Sequence, residues 1–109
     1  MRIAYKIWLD NDGKAFGEGP YRLLKGVERT GSLRQAAMEQ GMSYRKAWCT
    51  LRDIEEKLGF HILEKKVGGP SGGGSVLTSS GKSLMIRYEQ FRAEANEVLE
   101  QVYRKHFPA

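Results

Sequence analysis

Ser43, Tyr44, Arg45 and Lys46 follow one another at the start of a helical pattern, so a hydroxyl, a phenol, a guanidinium and an ammonium crowd into about one turn. The two cations suit the paired acceptors that guanine presents in a major groove, which makes Arg45 and Lys46 candidates for reading base edges. Ser32, Arg34 and Ser43 suit phosphate oxygens, which hydroxyls and helix N-termini bind without regard to sequence. Arg52 lies on the same outward face two turns later. Lys65 and Lys66 form a second basic pair, either touching duplex backbone or remaining ordinary solvated charge. Tyr44 adjoins an apolar stripe, so contact with a base or sugar and partial packing both stand open. Trp48, one residue past Ala47, is expected in the core, the usual place of a large aromatic.

Other chemistries lack their parts. No nucleophile has a nearby histidine or carboxylate pair to activate it, so an enzyme is not expected. The single cysteine, Cys49, excludes an intrachain disulfide, and His61 and His106 lack zinc-site spacing. Asp10 and Asp12 precede a glycine that comes too early for a calcium loop, and no glutamate closes it. Gly81, Lys82 and Ser83 imitate the tail of a phosphate loop, but Val76 stands where its first glycine is needed. No cofactor is expected. Without a leader pattern or a membrane-length apolar run, a cytoplasmic protein is expected, with no membrane partner.

The elements that must position the basic residues are written into the chain. Residues 31 to 59, GSLRQAAMEQGMSYRKAWCTLRDIEEKLG, spell a helix, a short turn and a longer helix. Ser32 and Gln35 are spaced as a capping box. Gly41 stops the first of these helices and Ser43 caps the second. In the latter, Ala47, Leu51, Ile54 and Leu58 make an inward stripe, Arg45, Cys49, Arg52 and Glu56 face outward, and Gly59 supplies the left-handed stop. Before this unit, Gly19 and Pro20 open a supporting helix with Leu23, Leu24 and Val27 inside and Gly31 at its end.

At the N-terminus, Ile3, Tyr5, Ile7 and Leu9 alternate with Arg2, Ala4, Lys6 and Trp8, the period of a half-buried strand. Asn11 to Gly13 then turn the chain towards a return strand around Lys14 to Phe16. After Gly59, strands over 60–66 and 76–78 flank the glycine-rich stretch 68–75 as a hairpin wing. The expected class is mainly α with a small β component: a winged helix-turn-helix with an N-terminal β-hairpin and a long C-terminal helix. Residues 1–83 form the expected DNA-binding domain and 84–109 the dimerisation helix.

Charge agrees with that layout. Of 109 residues, 20 to 83 carry 11 Lys and Arg against 6 Asp and Glu, whereas the flanking segments are balanced, so the whole net charge of +5 sits with the helix-turn-helix and its neighbours. Such a footprint fits phosphate.

The final helix is expected from about Ser80 to His106, about 40 Å at 1.5 Å per residue. Leu84, Tyr88, Phe91, Ala95, Val98 and Val102 recur at heptad spacing. A domain of this size has a radius of gyration of about 13 Å, so part of the helix must overhang. A second copy is the expected cover, since DNA readers of this kind pair with two half-sites. The alternative is folding back on the first helix and the N-terminal hairpin.

GSLRQAA, GMSYRKAW, the Leu58-Gly59 pair, the glycine-rich wing and LTSSGKSL stand in the order and spacing of ModE-type molybdate-responsive transcription regulators, whose N-terminal winged helix the chain resembles. The broader LysR-type regulators share less of the pattern. The resemblance implies that the helix beginning at Tyr44 enters a major groove, the wing touches flanking backbone and the long helix dimerises. Larger members continue into a module that binds the oxyanion; the sequence ends at Ala109, so molybdate binding is not expected in this chain. Together these observations point to a homodimeric regulator that recognises double-stranded DNA sequence-specifically. The competing class is a winged-helix adaptor for another protein, with incidental charge.

Overall fold

A computed structural model describes residues 1–66 and 74–108. Along the chain run β1 (Leu9–Asp10), β2 (Lys14–Phe16), α1 (Glu18–Thr30), α2 (Leu33–Glu39), α3 (Tyr44–Leu58), β3 (Leu63–Lys66), β4 (Gly74–Leu77) and α4 (Ser79–His106). Two antiparallel pairs, β1 with β2 and β3 with β4, make up the strand pairing among the described residues. Most of the expected wing tip, residues 67–73, lies outside them.

The core follows the apolar spacing. Leu23, Leu24 and Val27 of α1, Leu33, Ala36 and Ala37 of α2, and Ala47, Leu51 and Ile54 of α3 converge with Phe16, Ile62, Leu63, Leu77 and Met85. Gly26 lets α1 and α2 cross closely, because a Cβ there would lie 2.6 Å from the Ala36 Cβ. Gly31 and Gly59 end α1 and α3 at φ 73° and 81°, left-handed values that disfavour side chains.

Caps fix the helix starts. The Ser32 hydroxyl accepts from the Gln35 amide at 3.0 Å and the Ser43 hydroxyl from the Lys46 amide at 3.1 Å. The reciprocal half of the expected capping box differs: the Ser32 amide donates to Thr30 Oγ1 at 3.2 Å, a partner supplied by the preceding helix. Thr78, expected in the second wing strand, is instead the cap of α4. Its hydroxyl accepts from the Gly81 amide at 2.9 Å and donates to the His61 carbonyl at 2.6 Å. Gly81 has a packing role here, since a Cβ would meet the Ile62 carbonyl oxygen at 2.4 Å.

The N-terminal strand is shorter than its alternation suggests. Only Leu9–Asp10 pairs, and its partner β2 has three residues before the turn into α1. Residues 1–8 lack ladder bonds, but Ile3 and Ile7 are half-buried, and the Tyr5 hydroxyl donates to Asn96 Oδ1 on α4. Tyr5 and Leu9, expected on the same covered face, are exposed, so the period-two pattern is met at two of its four positions. At the turn, Asp12 and Gly13 take φ of 57° and 122°, and Asn11 Nδ2 donates to the Lys57 carbonyl at 2.9 Å.

Helix α4 has two environments. Met85 and Tyr88 are buried; the Tyr88 ring meets Phe16 edge-on at 5.1 Å and Tyr21 at 5.4 Å. Tyr88, expected in the dimer seam, is thus a core residue, and Leu84 packs against the same core. The expected division at 83/84 falls inside this continuous helix. Arg92 clamps Glu18 at 2.8 Å, and Tyr21 donates to Glu89 at 2.6 Å, fixing α4 on α1. That hydrogen bond, with Lys25 nearby, holds the Glu89 carboxyl below its ordinary range, while burial pushes both tyrosine phenols up. Phe91, within the clamped turn, and Val98 and Val102 beyond it are exposed, at 43%, 56% and 49%. With extents of 56 × 27 × 22 Å, the molecule does carry the overhang.

Candidate nucleic-acid interface

The outward side of α3 gathers most of the expected contact residues. Arg45 and Lys46 are exposed in its first turn, and Arg52 is half-exposed two turns on. Arg34 joins them from α2 and Lys65 from β3, whereas Lys66, the next residue along that strand, is exposed on its other side. Among the described residues, none of Arg34, Arg45, Lys46, Lys65 and Lys66 takes part in an ion pair. Their charge is therefore available to an anionic partner.

Aromatic rings connect the cations. Tyr44, Trp48 and Arg52 stand at i, i+4 and i+8, neighbours along one side of α3. The Tyr44 and Trp48 rings are nearly parallel, with 6.4 Å between centroids and 14° between planes. Arg34 lies over Tyr44 at 4.5 Å, and Arg52 and Lys65 over Trp48 at 4.4 and 5.2 Å. Trp48 thus departs from its expected place: it packs against the core edge but is only half-buried. A flank position between α3 and the wing leaves ring surface that the cations cover. Tyr44 packs against the core as well.

Glu55 was not among the residues singled out by sequence. It is 8% exposed, and its carboxylate accepts from the Ile62 amide at 2.7 Å and the Leu63 amide at 3.3 Å. It also pairs with Arg52 at 3.1 Å. One carboxylate thus joins α3 to the start of the wing. Its position four residues after Leu51 is the one sequence signal that it faces inward. At the other strand, the Ser75 amide donates to the Gly31 carbonyl at 2.9 Å, tying the tip-side end of β4 to the end of α1. Glu55→Ala should lower stability by about 1 to 3 kcal/mol, because two buried amides lose their acceptor. Urea unfolding checks this; an unchanged midpoint would show that water replaces the carboxylate without cost.

A helix, turn and helix followed by an antiparallel hairpin, with a basic outward face, define a winged helix-turn-helix domain. No family model matches the chain. It is 34% identical over 98 residues to the molybdenum-pterin-binding protein MopB of Rhodobacter capsulatus, an alignment covering 90% of this chain and 36% of that protein. To the DNA-binding transcriptional dual regulator ModE of Escherichia coli K12 it is 40% identical over 81 residues, 71% of this chain and 30% of that protein. The molybdenum transport protein ModE of Azotobacter vinelandii is 29% identical over 102 residues, 93% of this chain and 38% of that protein. The chain is a homologue of these ModE and MopB proteins, and its fold is that of a ModE-type winged-helix domain. It spans about a third of their length. Among the described residues no helix is long and apolar enough to cross a membrane.

Proposed function

We propose that the chain is a regulator's sequence-specific DNA-binding domain, acting as a homodimer on a two-fold site. The observation that supports this best is the free positive charge that α2, α3 and β3 bring to one face. Arg45 and Lys46 read base edges in the major groove, while Ser32, Arg34, Ser43, Lys65 and Lys66 hold phosphate. Arg52 adds a further phosphate contact, and Tyr44 borders the same surface. Phe91, Ala95, Val98 and Val102 supply the apolar seam between two copies, with Leu84 at its edge. Incubating the protein with genomic fragments and sequencing those retained should enrich a two-fold motif. Retention without any common motif would favour the adaptor reading.

The two basic groups should separate on substitution. Arg45→Ala is expected to relax base preference by about 1 to 3 kcal/mol, the worth of a bidentate base contact. Lys65→Ala should weaken all sequences about equally. Gel-shift titrations on the enriched and a shuffled duplex make the comparison; equal losses on both for Arg45→Ala would assign reading to another residue.

Two of the relatives named above carry molybdenum in their names, and the resemblance lodges the oxyanion in a C-terminal module of the larger members. Molybdate is accordingly given no role on this chain. Calorimetry with molybdate should show no saturable heat. Saturable binding at micromolar concentration that sulfate does not compete would reverse that assignment.

A further inference from the structure

Trp48 is half-buried at the joint between α3 and the wing and carries cations from both. Resting on the DNA-binding role proposed above, we propose that Trp48 is a positioning residue for that role: its ring holds Arg52 of α3 and Lys65 of the wing as one pre-formed phosphate clamp. Tyr44 extends the arrangement to Arg34.

Three observations carry this. Arg52 is held from two sides, by the Trp48 ring at 4.4 Å and by Glu55 at 3.1 Å, so its guanidinium has little rotational freedom. Lys65 is exposed and outside any ion pair among the described residues, yet its ammonium rests 5.2 Å from the same ring's centroid. Glu55, by accepting from Ile62 and Leu63, anchors the strand that bears Lys65 to the helix that bears Trp48. Flexible lysine and arginine side chains lose rotamer freedom when they grip phosphate, and placing them beforehand reduces that loss. A cation over an indole face keeps its outer side open, so the ring can hold each charge without neutralising it.

A double-mutant cycle on the whole chain tests the assignment, using a mixed-sequence duplex at low salt and fluorescence anisotropy. Trp48→Leu should weaken binding about three- to tenfold, and Lys65→Ala by a similar factor. The double variant should lose clearly less than the product of the two single losses, because part of what Trp48 contributes passes through Lys65, the rest through Arg52. Trp48→Phe, which keeps an aromatic face, should recover most of the loss. Independent multiplying losses, or no recovery by Phe, would overturn the positioning role. Wild-type protein that does not bind the duplex at all would instead overturn the DNA-binding role on which the proposal stands.

If Trp48→Leu fails to fold, proton NMR of the wild type decides. The Arg52 Hδ and Lys65 Hε resonances should lie upfield of their ordinary positions through the Trp48 ring current and move downfield in Trp48→Phe. Ordinary shifts for both would remove the clamp.

Discussion

Raising salt from 50 to 200 mM will lower affinity for duplex DNA by about 10³ to 10⁵, if a dimer neutralises about six to ten phosphates. Each neutralised phosphate releases condensed counterions, and added salt opposes that release in proportion to the number of phosphates engaged. The cations placed on phosphate, Arg34, Lys65 and Lys66 of each protomer, are exposed and outside ion pairs among the described residues. Little internal pairing must therefore be broken before they bind. Anisotropy titrations at several salt concentrations give the slope. Changing any of these cations to alanine should make it shallower by about one for every phosphate left without its partner. A flat affinity across the range would remove phosphate as the partner.

Replacing both Phe91 and Val98 with Glu will separate the dimer and weaken binding to a two-fold site by about 10² or more, with Arg45 and Lys46 untouched. Both residues are exposed, at 43% and 56%, Phe91 beside Arg92 of the clamp and Val98 beyond it, so the substitution spares the chain's own core. Across a two-fold seam the four new carboxylates would lose apolar burial and repel one another. A monomer gives up simultaneous engagement of both half-sites, which is where the second factor arises. Light scattering checks the first effect: wild-type protein that is monomeric at tens of micromolar would contradict the seam. A double variant that stays dimeric would move the interface to another face.

The helix-turn-helix was legible because its signals are local. Ser32 and Ser43 cap, Gly31 and Gly59 stop, and the stripe from Ala47 to Ile54 turns inward, each decided within about one turn of chain. What misled sequence reasoning depends on distant partners. Alternation over Ile3, Tyr5, Ile7 and Leu9 predicts a half-buried strand, but only Ile3 and Ile7 are half-covered; a ladder needs a second strand, and β2 offers only three residues. Heptad spacing places Tyr88 on the same seam as Phe91, yet spacing carries no information on whether the facing surface belongs to this chain; Phe16 and Tyr21 are there. Thr78 reads as a β-branched strand residue until Gly81 and His61 supply its bonds.

The candidate site was legible to the same degree and for the same reason. Arg45 and Lys46 follow from the cap at Ser43, because the first turn after a cap is where an exposed face begins. Glu55 and Trp48 could not be assigned that way. A carboxylate on an inner flank needs buried donors, and these come from Ile62 and Leu63, on the far side of the Gly59 stop. Trp48 was expected inside because a large ring is usually covered by apolar atoms; here the cover comes partly from Arg52 and Lys65.

The most direct test of a sequence-reading face on α3 is the affinity of the wild-type chain for its enriched two-fold duplex against a base-shuffled duplex of equal length, at one physiological salt concentration. A specific reader should prefer the enriched duplex by about 10³-fold or more. Equal affinity for the two would contradict sequence recognition and leave the basic face as a non-specific or protein-binding surface.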